Sequence, residues 1–114
     1  MKTIRKIAVG TEVQTLLEEL RSGLTRLYGD RLKRALLYGS WARGEATEDP
    51  DVDVVVVLAD SVVQGREIDR MLDLVIELDE KYDTLISVYP VSEENYLATQ
   101  SPLLVNVRRE GVEV

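Results

Sequence analysis

The chain has 114 residues, 45% of them hydrophobic, and a net charge of −7. This length fits one compact domain spanning residues 1–114, and the apolar content supports a packed core rather than a disordered chain. Cysteine and histidine are both absent, which excludes disulfides, thiolate and imidazole zinc sites, and the Ser-His and Cys-His nucleophile systems.

Any metal therefore sits on oxygen ligands, which favours magnesium, manganese or calcium. The acidic balance argues against a DNA or RNA duplex as partner. It suits a soluble cytoplasmic protein, or one that meets a basic partner. No apolar stretch is long enough to span a membrane. The basic start, Met1 to Lys6, is followed by an apolar stretch (Ile7-Ala8-Val9-Gly10) too short for a signal peptide.

Residues Thr11 to Tyr28 read as a helix, with Val13, Leu16, Leu17, Leu20, Leu24 and Leu27 at helical spacing on one side. Gly29-Asp30 ends it. Arg31 to Tyr38 reads as a strand whose buried part is Ala35 to Tyr38. Gly39 to Pro50 is a polar loop, with room for a helical turn beginning at Ser40. Val52 to Leu58 is a nearly continuous valine run, the pattern of a central strand covered on both faces.

Gln64 to Tyr82 reads as a second long helix with Ile68, Met71, Leu72, Val75 and Ile76 inward, and Thr84 to Val91 as a third strand. Ser92 is a good N-cap for a short helix that has Glu93 and Glu94 in its first turn. Pro102 suits the first position of a last helix, which Gly111 can stop. The order is α-β-β-α-β-α-α, an α/β (α+β) domain built around a small mixed sheet flanked by helices.

Two features on this framework carry chemistry. One is Tyr38-Gly39-Ser40-Trp41-Ala42-Arg43-Gly44-Glu45 at the end of the first strand; the other is Asp51-Val52-Asp53 at the start of the valine strand, ten residues after Ser40. Side chains alternate along a strand, so Asp51 and Asp53 share a side and their carboxylates can converge on a cation, while Val52 packs the other way. Two like charges held that close call for a counterion, and an unpaired acid beside a core strand is costly. Taken alone, Asp-x-Asp is more often a pair of solvated acids at a strand entrance. Gly39 lets the backbone approach a ligand closely. Ser40 begins a turn whose free N–H groups and hydroxyl can hold phosphate, and Arg43 can pair with phosphate oxygens in a planar fork. Taken alone, a Gly-Ser turn is an ordinary strand-to-helix connection. A calcium loop opening at Asp49-x-Asp51-x-Asp53 is excluded by Val54 where such a loop needs Gly and Asp60 where it needs Glu.

Together, Gly39-Ser40, ten intervening residues and Asp51-Val52-Asp53, with Ala42-Arg43-Gly44 between, resemble the signature of the polymerase-β-like nucleotidyltransferase superfamily. The similarity is closest to the minimal nucleotidyltransferases of bacteria and archaea, which are often encoded beside a HEPN-domain ribonuclease toxin. It extends to the tail, Ser101-Pro102-Leu103 through Arg108-Arg109-Glu110-Gly111. The resemblance implies the polymerase-β-like fold, with Asp51 and Asp53 holding two magnesium ions and Gly39, Ser40 and Arg43 holding the phosphates of ATP. It also implies transfer of AMP onto a HEPN-domain toxin, so that the chain acts as its antitoxin.

The sequence departs from that pattern in two places. Pro50 stands where the family usually has Ser, which removes a backbone donor but leaves the carboxylates in place. The third carboxylate of the superfamily is expected on the strand Thr84 to Val91. The inward set there is either Leu85-Ser87-Tyr89-Val91 or Thr84-Ile86-Val88-Pro90, and neither offers an acid; Ser87 takes the place, with Asp83 at the strand's edge. This departure supports a second reading, a non-catalytic antitoxin that neutralises a toxin by contact and keeps a vestigial nucleotide site. A chain of this length leaves no residues for an acceptor-recognition domain, so a partner protein or a second subunit is expected to dock the acceptor. Trp41 reads as cover for the core edge rather than a base-stacking platform. Arg108-Arg109 reads as a favourable helix C-terminus rather than a toxin contact.

Overall fold

In the computed structural model, which describes residues 11–39 and 51–114, the valine run forms strand β2 (Asp51–Leu58), an inner strand of a four-stranded sheet. It pairs antiparallel with β1 (Leu32–Tyr38) and parallel with β3 (Leu85–Ser92). A two-residue strand, β4 (Val112–Glu113), pairs antiparallel with the far side of β1, so the order across the sheet is β3-β2-β1-β4. A parallel pair needs a crossover, and α2 (Gln64–Tyr82) supplies it between β2 and β3.

Helices lie against both faces, which is why β2 is apolar on both. Val52, Val54 and Val56 pack with Ala35, Leu37 and Ile86 against α1 (Thr11–Tyr28) and α2. Val55 and Val57 pack with Leu36 and Val91 against α3 (Glu93–Ala98) and α4 (Pro102–Glu110). Both short helices start as the sequence indicates. Ser92 Oγ accepts from the Asn95 N–H at 3.1 Å and Ser101 Oγ from the Leu104 N–H at 3.3 Å, and Pro102 occupies the first turn of α4.

Several details differ from the sequence reading, including β4, which it does not anticipate. Gly29–Arg31 is a turn of 3-10 helix, so β1 starts at Leu32. β3 is shifted one residue from the expected Thr84 to Val91, running from Leu85 to Ser92. Gly111 does stop α4 as expected, with an ordinary φ of −65°; its need for glycine is spatial, because a Cβ there would meet the Val107 carbonyl oxygen at 2.6 Å. The inward side of α2 is also different. Ile68, Leu72 and Ile76 are 41%, 46% and 44% exposed, whereas Glu67, Met71 and Leu78 are buried and Leu74 and Val75 pack beside them. On α1, likewise, Leu27 turns outward and Tyr28 inward.

The buried charge on α2 ties the two long helices together. The Tyr28 hydroxyl donates to Glu67 Oε1 at 2.8 Å, and the guanidinium groups of Arg31 and Arg70 stand 3.6 and 3.3 Å from the same carboxylate. Burial, and then the bond to Glu67, push the Tyr28 phenol well above its ordinary range. At the other end of the pair, Glu19 accepts from Lys81 Nζ at 2.9 Å and from the Tyr82 hydroxyl. Between these ties the helices touch closely, and a Cβ at Gly23 would meet Leu74 Cδ1 at 2.5 Å.

Replacing a buried acceptor strands its donors. Glu67→Ala is expected to cost about 2 kcal/mol in urea unfolding, and Tyr28→Phe, which leaves the carboxylate its two arginines, about half that. The Glu19 carboxyl lies below its ordinary value of 4.5, chiefly through Tyr82 and then Lys81. A depressed carboxylate contributes stability that is complete above its unfolded value and lost as the pH falls through its folded one. Melting temperature should therefore drop below pH 4.5, and that part of the drop should be absent in Glu19→Gln.

Candidate nucleotide and metal site

The sheet register brings the singled-out residues into one row. Tyr38 of β1 pairs with Asp53 of β2, which pairs on its other side with Ser87 of β3. Asp51 pairs with Leu85 one step nearer the strand entrance. By alternation, Asp51 and Asp53 lie on the face that Val55 and Val57 present to α3 and α4. The packing on that face involves Leu36, Val55, Val57 and Val91. At the other end of the same face Asp51 and Asp53 are half-buried while Leu85 and Ser87 are exposed. Two carboxylates thus project side by side where the covered face opens to solvent.

The same alternation decides between the two inward sets left open for β3. Tyr89 and Val91 pack with the Val55 face and Ile86 and Val88 with the Val54 face, so Ser87 belongs beside Asp53. Asp83 stands outside the strand. It caps α2 in a left-handed conformation (φ 51°), two residues ahead of Leu85. Among the described residues, no group of three or more acidic side chains gathers as a metal site.

Gly39 follows Tyr38 directly and has φ +84°, a conformation that favours glycine. A Cβ at this position would lie 3.0 Å from Asp53 Oδ2. The chain therefore turns at Gly39 immediately over the Asp53 carboxylate, leaving space that any other residue would fill. Tyr38 borders this space. Its phenol is pushed above the ordinary tyrosine range, first by burial, then by the Asp53 charge and by Tyr89. The sequence alone assigns neither tyrosine a role. Tyr38 was detectable in principle, because it is the last strand residue before the glycine. The proximity of Tyr89 depends on the β2–β3 register. Ser40, Trp41, Ala42, Arg43, Gly44 and Pro50, with the expected helical turn at Ser40, lie outside the described residues, as does the basic start of the chain.

Residues 17–107 match the nucleotidyltransferase domain family, and the chain belongs to that family; it is a nucleotidyltransferase. Among curated relatives, it is 29% identical over 103 residues to "Putative protein adenylyltransferase MJ0141" of Methanocaldococcus jannaschii, spanning 90% of this chain and 99% of the relative. It is 33% identical over 78 residues to "Putative protein adenylyltransferase MJ0604" of the same organism, spanning 68% of this chain and 72% of the relative. Among solved structures, a chain of a toxin–antitoxin crystal structure with AMP-PNP superposes with a TM-score of 0.59 at 20% identity, covering 84% of this chain and 70% of that one. A chain of a mutant MntA-HpeT toxin–antitoxin structure superposes with a TM-score of 0.54 at 20% identity, covering 89% and 69%. These structural likenesses establish the shared fold. No helix among the described residues is long and apolar enough to cross a membrane.

Gly39→Ala forces a side chain into a left-handed turn and against Asp53 Oδ2. A loss of about 1 kcal/mol in denaturant unfolding is expected, together with weaker binding of a fluorescent ATP analogue measured by anisotropy. Gly29→Ala is the control. Its φ is also positive, at 55°, but no atom lies within 4 Å of the added Cβ. It should lose comparable stability and leave nucleotide binding unchanged.

Proposed function

We propose that this nucleotidyltransferase is a magnesium-dependent protein adenylyltransferase that uses ATP and acts as antitoxin towards a HEPN-domain toxin. The observation that carries the reading is the pair of carboxylates, Asp51 and Asp53, on one face of β2 beneath the Gly39 turn. Two kinds of relative support it: the adenylyltransferases named above, and the toxin–antitoxin chains with the same fold.

The donor set fits a hard divalent cation. It consists of oxygens alone, from two adjacent carboxylates at a solvent-facing strand entrance. Asp51 and Asp53 would hold magnesium, which when bound supplies charge neutralisation and polarises the α-phosphate. Gly39 leaves room for phosphate oxygens to approach the backbone, Ser40 would bind them through its N–H and hydroxyl, and Arg43 would pair with them through its fork. The acceptor hydroxyl attacks phosphorus in line while the α–β bridging oxygen departs with pyrophosphate. Ser87, neutral beside Asp53, offers this acceptor a hydrogen bond but no base, and we assign the acceptor's proton to solvent or the departing pyrophosphate.

That neutral Ser87 is also what favours the second reading, an antitoxin acting by contact alone. The two readings separate in one experiment. Incubated with ATP, magnesium and a HEPN-domain toxin, the chain should add the mass of AMP to the toxin. Asp53→Asn should slow that addition about 100-fold or more, since loss of even an indirect metal-site partner costs 10–100-fold. If Asp53→Asn still protects cells from the toxin as well as the unaltered chain does, protection comes from contact and not from transfer.

A further inference from the structure

The outward side of α2 carries a row of large apolar residues. Ile68, Leu72 and Ile76 recur every fourth position and lie along one side of the helix, each more than two-fifths exposed. Isolated exposed apolar residues are normal, but a continuous row on one helix is not. Beside it runs a second row, Asp69, Asp73, Glu77 and Glu80, all exposed, with Arg66 at its first turn.

The side bearing the apolar row overhangs the open edge of the sheet. Asp79 falls on that side, three residues beyond Ile76, and its Oδ1 accepts from the Ile86 N–H at 2.9 Å. Gln64, four residues before Ile68, donates from Nε2 to the Pro90 carbonyl oxygen at 3.1 Å. Both contacts are to the outer edge of β3, the outermost strand among the described residues. They occupy that edge from both ends, and Pro90 itself has no N–H to offer, so the edge does not suit an added strand. What the side presents is an apolar ridge with an acidic flank, which suits side-chain packing by a helix.

We propose that this surface docks an amphipathic helix of another protein, one whose apolar row is flanked by lysine or arginine. Charge decides between this occupant and a second copy. Two copies meeting here would set the Asp69-Asp73-Glu77 row of one against the same row of the other, whereas a basic flank is complementary to it. The net charge of −7 acts in the same direction at longer range. The ridge belongs to the α1–α2 layer, on the opposite side of the sheet from Asp51 and Asp53, so a helix bound here leaves the carboxylate face open.

The test uses the full chain and two synthetic helices with leucine at every fourth position, one flanked by lysine and its twin by glutamate. Fluorescence anisotropy should show binding of the lysine helix at least tenfold tighter than its twin, and nitrogen-15 correlation spectra should place the shifts on α2. Ile68→Ala/Leu72→Ala/Ile76→Ala, with folding verified by circular dichroism, should weaken binding at least tenfold. Asp69→Lys/Asp73→Lys/Glu77→Lys, which keeps the apolar row intact, should reverse the preference towards the glutamate helix. Equal binding of the two helices, shifts mapping away from α2, or indifference to either set of changes would overturn the proposal. So would sedimentation showing a dimer that the alanine variant dissolves, because a second copy would then cover the ridge.

Discussion

The two-sidedness of β2 is the constraint on which the rest depends. From Val54 to Leu58 every side chain is fully buried, so both faces of the strand must be covered by helices, and the sheet becomes the middle of three layers. At its entrance the same alternation puts Val52 into one layer and Asp51 and Asp53 onto the other face. That face is open at this end, which leaves both carboxylates half-buried rather than enclosed. Shifting the register by one residue would place both acids in the α1–α2 core and bring the valines Val52 and Val54 to the opening. The valine run thus fixes the position of the acids with several side chains' worth of burial, and the site inherits the rigidity of the most buried strand.

The layer behind that strand is held by charge as well as by packing. Glu67 is a carboxylate buried beside a largely aliphatic core, and it is tolerated because Tyr28, Arg31 and Arg70 converge on it. The arrangement fixes how α2 is rotated about its axis. With Glu67 turned inward, Met71, Leu74 and Leu78 follow at helical spacing, and Ile68, Leu72 and Ile76 must then face out. One buried ion cluster therefore determines which apolar row of α2 joins the core and which remains as an exposed ridge.

Why the sequence was readable in some places and not in others follows from the same two facts. The valine run, the span of α1, the Ser92 cap, the Pro102 start of α4 and the glycine after Tyr38 are local signals, and each is where its local signal indicated. The rotation of α2 was not legible, because the helix carries apolar residues over an arc wider than the core uses. The buried part of that arc includes Glu67, a charge that any hydropathy reading assigns to solvent. Strand β4 has two residues, too few to show a period. The face of β3 that meets the acids was open for a further reason. Periodicity gives two alternative sets, and only the pairing of Asp53 with Ser87 across a parallel ladder selects one.

That pairing also bears on the chemistry of the domain. A nucleotidyl transfer needs the acceptor hydroxyl brought in line and relieved of its proton, and an acid beside Asp53 would do the second task and add a third charge at the metal. With a serine there, the described part of the site is less negative and easier to assemble without metal, since two carboxylates repel less than three. On the proposed function the cost would fall on the acceptor, which would have to arrive already oriented, because positioning would supply what Ser87 does not. A free small molecule gains little orientation from an open strand entrance, whereas a protein acceptor anchored over a wide surface is oriented before its hydroxyl reaches the site. On the proposed function, a neutral Ser87 beside Asp53 and an acceptor docked by a protein partner are two sides of one requirement.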